Sequence, residues 1–157
     1  MKFCNWFYCC CCAFGVVDAD LQEATWENTI PFVPKINHGR VIKVYDGDTI
    51  TIAAKLENGG PKSDVYRFSV RLLGIDTPEM KSHYEAEKNL AKKAKEALSE
   101  QILGQMVTLE NVSMEKYGRV LANVMYKGKN MNEWMIQEGH ALKYNGGTKE
   151  IPEEWRK

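Results

Sequence analysis

The chain has 157 residues, 44% of them hydrophobic, 10% aromatic and 27% charged, with 21 Lys plus Arg against 21 Asp plus Glu. That is the composition of one ordinary globular domain, large enough to bury a core without disulfides or a structural metal, and it excludes disorder, collagen and coiled coil. A net charge of zero carries no overall signature of a polyanionic partner, so such a partner requires segregated charge.

All five cysteines, Cys4 and Cys9 through Cys12, lie in the first twelve residues, and the four adjacent ones lack the spacers a zinc site needs. Residues 3–17 form an apolar run broken by Asn5, with Lys2 before it and Val17-Asp18-Ala19 after it. The expectation is a signal peptide over 1–19 and a secreted or cell-envelope protein. The alternative is a Cys-rich segment that associates with the membrane through acylated thiols. Residues 20–38 read as an acidic, partly extended leader with Pro31 and Pro34, and 39–157 as the domain proper.

Residues 41–45 and 49–55 are β-branched runs joined by Asp46-Gly47-Asp48, a hairpin-like turn in which Gly47 can take a positive φ. A turn at 58–61 leads to a third strand over 66–75, with Tyr66, Phe68, Val70 and Leu72 on one face. The period then becomes helical. Ser82 and Glu85 fit a capping box, Leu90, Ala94, Ala97, Leu98 and Ile102 form an apolar stripe, and Gly104 ends the helix. Strands at 106–112 and 120–126, then a short helix over 132–138 closed by Gly139, complete the pattern. Five strands, with a long helix between the third and fourth and a short one after the fifth, is the element order of an α+β OB-fold β-barrel.

Taken singly, the polar residues have plain explanations. Asp46-Gly47-Asp48-Thr49 reads first as a turn, and it is no EF-hand loop, lacking Gly at the sixth position and Glu at the twelfth. Residues 71–79 read as a strand with a proline-fixed exit. Together they are more informative: carboxylates on two strand-end loops supply hard oxygen ligands for Ca²⁺ or Mg²⁺, and Arg71 with Arg119 can grip an anion. Acids for a divalent ion plus two guanidiniums describe a phosphodiester site.

The ordered set Asp46-Gly47-Asp48-Thr49, Arg71 through the Ile75-Asp76-Thr77-Pro78-Glu79 run, Tyr117-Gly118-Arg119, Asn132-Glu133 and Gly139 resembles the staphylococcal nuclease (thermonuclease) family, over about 40–147. The resemblance implies one Ca²⁺ held by Asp48, Asp76 and the main-chain carbonyl of Thr77, with Asp46 as an outer acid holding its water. It implies Glu79 as general base or orienter of the attacking water, and Arg71 and Arg119 as the pair on the scissile phosphate. Lys116 and Tyr117 match positions that touch a neighbouring phosphate. Tyr144 resembles an aromatic lining the nucleotide pocket, although its spacing after Gly139 departs from the family's. The implied activity is hydrolysis of DNA and RNA with little sequence preference, leaving 3′-phosphate ends. A noncatalytic OB-fold nucleic-acid-binding module is the alternative, and a barrel with a purely structural metal a third reading. The link between Glu79 and the long helix is shorter than the family's substrate-covering loop, trimmed to about 80–83.

The zero charge is then an average over unlike parts: residues 40–149 hold 17 basic and 14 acidic residues, and four of those acids are the implied metal-site residues. A locally basic cleft around a small acidic centre is expected. No feature marks a protein partner, and a monomer is the default.

Overall fold

The β-branched runs do pair, and the turns between them decide which residues meet. The computed structural model describes residues 18–60, 62–147 and 152–156, in two units, Met1–Pro31 and Phe32–Lys157. The expected signal segment thus lies almost entirely outside the described residues. In the first unit a one-turn helix α1 (Ala19–Gln22) precedes a loop closed by mutual bonds between Thr25 and Asn28, with Trp26 and Ile30 exposed. Among the described residues no helix is long and apolar enough to cross a membrane.

The second unit runs β1 (His38–Val44), β2 (Thr49–Ala54), β3 (Tyr66–Leu72), β4 (Ile75–Asp76), α2 (Glu85–Ile102), β5 (Met106–Met114), β6 (Val120–Tyr126), β7 (Lys129–Asn130), α3 (Met131–Gln137), β8 (Leu142–Lys143) and α4 (Glu153–Arg156). The long strands lie in the order β3-β2-β1-β5-β6, antiparallel throughout, and a parallel β3–β6 pairing from Val70↔Val120 to Leu72↔Ala122 closes the sheet on itself. This is the expected five-stranded OB-type barrel, with α2 between its third and fourth strands and α3 after its fifth. Closure removes the exposed edges an open sheet would carry.

The core fills from alternate strand positions, among them Val41, Ile50, Ile52, Val70, Leu72, Val107 and Val124, and from Ala91, Ala94, Leu98 and Ile102 of α2. Burial at this spacing, three and four residues apart, is what anchors α2. Gly104, at φ +76°, ends it as expected. Ile36 is buried, and the N–H groups of Glu57 and Leu109 donate to the carbonyls of Lys35 and Asn37. The barrel unit therefore begins ahead of the expected boundary at 38/39. At the other end Trp155 is buried and α4 packs on α2.

Three expectations are corrected. The third strand is not continuous over 66–75: Gly74, at φ +76°, turns the chain after β3, and β4 leaves the barrel to pair with β8 as Ile75↔Lys143 and Asp76↔Leu142. Ser82 does not cap α2, whose N-cap is Tyr84 with no side-chain cap. Instead the Ser82 hydroxyl donates to Glu87. Gly47 does not adopt positive φ. It is required by proximity, since a Cβ there would lie 2.9 Å from Ala94 Cβ and 3.0 Å from Thr77 Cγ2. Gly47→Ala is accordingly expected to cost about 1–3 kcal/mol by overpacking. Denaturant unfolding measures this, and an unchanged midpoint would show that the turn and α2 separate freely.

Candidate active site

Three chain segments meet at the open end of the β2–β3 pair. Thr49, first residue of β2, faces Arg71 across the antiparallel register, and the exit from β4 brings Asp76 and Thr77 alongside. Arg71 is the hub. Its NH1 lies 2.6 Å from Asp48 Oδ2, and its NH2 lies 3.3 Å from Asp76 Oδ1 and 3.4 Å from the Ile75 carbonyl oxygen. One guanidinium thus bridges both carboxylates.

Asp48, Asp76 and Thr77 are all buried. Burial pushes the Asp48 carboxyl up to about 7, with Arg71 pulling it down and the neighbouring Asp46 carboxylate raising it further. The Thr49 hydroxyl donates to Asp48 Oδ1 at 2.8 Å, and the Asp48 N–H donates to Asp46 Oδ1 at 3.4 Å.

The second guanidinium arrives through a tight turn. Gly118, at φ +80°, reverses the chain between β5 and β6, with the Gly118 N–H on the Glu115 carbonyl and the Glu115 N–H on the Arg119 carbonyl. Arg119 therefore lies beside Glu115, donating from Nε to Oε2 at 2.6 Å and from NH2 to Oε1 at 2.8 Å. Its NH1 reaches Thr49 Oγ1 at 3.5 Å, linking it to Asp48 through one hydroxyl. This fork holds the Glu115 carboxyl below its usual range and raises Arg119, so both stay charged.

The other expected residues surround this knot. Glu79 and Asp46 line one cleft, of about 280 Å³, with Tyr45, Met80 and Lys81. Tyr144 lines another, of about 440 Å³, whose walls include Arg71, Glu115, Leu73 and Gly74, and its N–H donates to the Gly74 carbonyl. Lys116 and Tyr117 stand on the β5–β6 turn, Tyr117 exposed and the Lys116 ammonium 4.9 Å from its ring centroid.

Sequence reasoning missed Glu115, Glu87 and the grip of Asn132. Glu87 is fully buried, its Oε1 accepting from the Glu79 N–H at 3.0 Å and its Oε2 from the Ser82 hydroxyl, so it fixes the short loop that carries Glu79. The signal was available: extended back one turn, the buried stripe of α2 lands on Glu87. Asn132, at the start of α3, donates from Nδ2 to the carbonyls of Leu73 at 2.8 Å and Ala122 at 3.2 Å, and accepts from the Val124 N–H at 3.0 Å.

The donor set suits a hard divalent cation: two carboxylates, with a main-chain carbonyl next to the second. Among the described residues no three His, Cys, Asp or Glu side chains are grouped to hold a metal, so carboxylates alone would not complete a coordination shell.

Comparison with known proteins gives the family of the chain. The family model described as staphylococcal nuclease homologue matches residues 69–155. An uncharacterized endonuclease of Haemophilus influenzae is 35% identical over 108 residues, covering 69% of this chain and 53% of that protein. A thermonuclease of Staphylococcus hyicus is 33% identical over 104 residues, covering 65% and 56%. An uncharacterized protein of Bacillus anthracis is 36% identical over 107 residues, covering 66% and 46%. The chain spans about half the length of these relatives.

Proposed function

Since the chain belongs to the staphylococcal nuclease homologue family, we propose that it is a Ca²⁺-dependent endonuclease that hydrolyses DNA and RNA with little sequence preference and leaves 3′-phosphate ends. The observation that carries this reading is the linked set Asp76, Arg71, Asp48, Thr49 and Arg119, which sets two guanidiniums around two buried acids. Asp48, Asp76 and the Thr77 carbonyl would hold the cation, which would supply Lewis-acid polarisation of a phosphate oxygen. Arg71 and Arg119 bind the scissile phosphate and favour the extra charge of the five-coordinate transition state. Glu79 accepts a proton from the attacking water. The water oxygen bonds to phosphorus, the bond to the 5′ oxygen breaks, and that oxygen takes its proton from solvent. Contacts made to phosphate rather than to base edges account for weak sequence preference. Lys116 and Tyr117 would meet a neighbouring phosphate, and Tyr144 a nucleotide. A secreted location remains part of the proposal, through the apolar run at 3–17.

Digestion of plasmid and of single-stranded DNA with Ca²⁺, with Mg²⁺ and with chelator tests the reading. Cleavage with Ca²⁺ that chelator abolishes is expected. DNA binding without cleavage under any condition would replace the enzyme by the noncatalytic module.

The acid pair adds a pH signature. Asp48 is raised from 3.8 to about 7, so without cation its effect on stability is fully present below 3.8 and is lost as pH rises through about 7. A cation needs the carboxylate, and its affinity should fall by about tenfold per pH unit below that value. Added Ca²⁺ is thus expected to raise the melting temperature more at about pH 8 than at about pH 5, by mass action. Equal stabilisation at both pH values would remove Asp48 from the ligand set.

A further inference from the structure

A second cleft lies beside Glu79, lined by Tyr45, Asp46, Met80 and Lys81. It is linked to the Tyr144 cleft through Asp48: Asp46, in its wall, accepts from the Asp48 N–H, and Asp48 pairs with Arg71, which lines the Tyr144 cleft. A phosphodiester gripped at Arg71 carries a nucleoside on each side, so one cleft is available to each. In the Glu79 cleft the carboxylates Asp46 and Glu79 are committed to the cation and the attacking water, which leaves the Tyr45 ring and Lys81 to meet the strand. Tyr45 supplies the stacking surface. It is 54% exposed, and its N–H donates to the Thr49 carbonyl at 2.8 Å, fixing its backbone at the β1–β2 turn. The Lys43 ammonium stands 5.6 Å from its ring centroid and Lys81 lines the same cleft, so positive charge is at hand for the phosphates that continue the strand. An aromatic face set among basic side chains is how single strands are held, because a base within a duplex is already stacked on its neighbours.

We propose that Tyr45 forms a second nucleobase subsite, stacking the base on the opposite side of the bound phosphate from Tyr144. The proposal rests on the phosphodiester reading of the site. Fluorescence anisotropy with a labelled, phosphorothioate-linked pentadeoxyadenylate in Ca²⁺ tests it without turnover. Tyr45→Ala should weaken binding by about tenfold, whereas Tyr45→Phe, which keeps the ring, should stay within about twofold. In a set carrying one abasic residue at each position in turn, one member should lose the same factor in the parent protein and nothing more with Tyr45→Ala. Duplex binding should not change.

A Tyr45→Ala protein that binds the single strand within about twofold of the parent overturns the proposal, and so does an equal loss for single-stranded, abasic and duplex ligands. Cleavage of bis(4-nitrophenyl) phosphate, which has no base, reports the catalytic reading separately. If the parent cleaves no diester yet Tyr45-dependent binding persists, hydrolysis fails as the function and the subsite stands.

Discussion

Arg119→Lys is expected to lower phosphodiester turnover by about three orders of magnitude while leaving the fold intact. The guanidinium has two duties. One edge, Nε and NH2, is locked on both oxygens of Glu115, and NH1 points past Thr49 toward the acid pair. A planar fork can be anchored by one edge and still offer protons to a phosphate, whereas an ammonium on a flexible stem makes one contact at the expense of the other. A lysine here can pair with Glu115 or reach the phosphate, so charge is kept and geometry lost. The pair is partly exposed, and its loss should move the melting temperature little. Turnover of single-stranded DNA and thermal melts measure the two effects. Activity within about tenfold of the parent would mean that Arg119 serves the β5–β6 turn rather than the reaction.

The opposite profile is expected at Asn132. Replacing it with leucine keeps the volume but leaves the Val124 N–H and the Leu73 carbonyl without their buried partner. At about 1–3 kcal/mol for each of the two unsatisfied groups, the loss should be about 2–6 kcal/mol. For a unit of this length that lowers the melting midpoint by roughly 10–20 °C. At a temperature where the variant is still folded, turnover should be near normal, since Asn132 touches no proposed reacting group. A midpoint within about two degrees of the parent would show that water or a shifted α3 replaces the amide.

These residues also show what could be read in the chain and what could not. Gly104, Gly118, Gly139 and the cap at Asn130 obey local rules: helix ends and tight turns depend on φ and on side chains a few residues away. The strand runs were legible for the same reason, because alternating burial follows from the pleat. Gly47 was misread because its constraint comes from Ala94 and Thr77, distant in sequence. The break at Gly74 is held by the Asn132 amide on the Leu73 carbonyl, which no local pattern announces. Of the site, the acids and arginines were visible as residue types in order. That Arg71 spans Asp48 and Asp76, and that Glu115 holds Arg119, depends on strand register and turn geometry.

The parallel joint between β3 and β6 has a consequence for the birth of the protein. Val70 can meet Val120 only after the intervening chain has been synthesised and α2 has folded back, so this is among the most entropically demanding contacts in the barrel. A nascent chain ending before β6 can already pair β1, β2 and β3, which leaves β3 with an unsatisfied edge. Arg71 rides on β3 and Arg119 directly precedes β6, so the two guanidiniums share a site only once that seam closes. The linked pair of guanidiniums and the completed barrel thus arise in the same event, so a chain that stops short of β6 carries only half of the proposed phosphate grip.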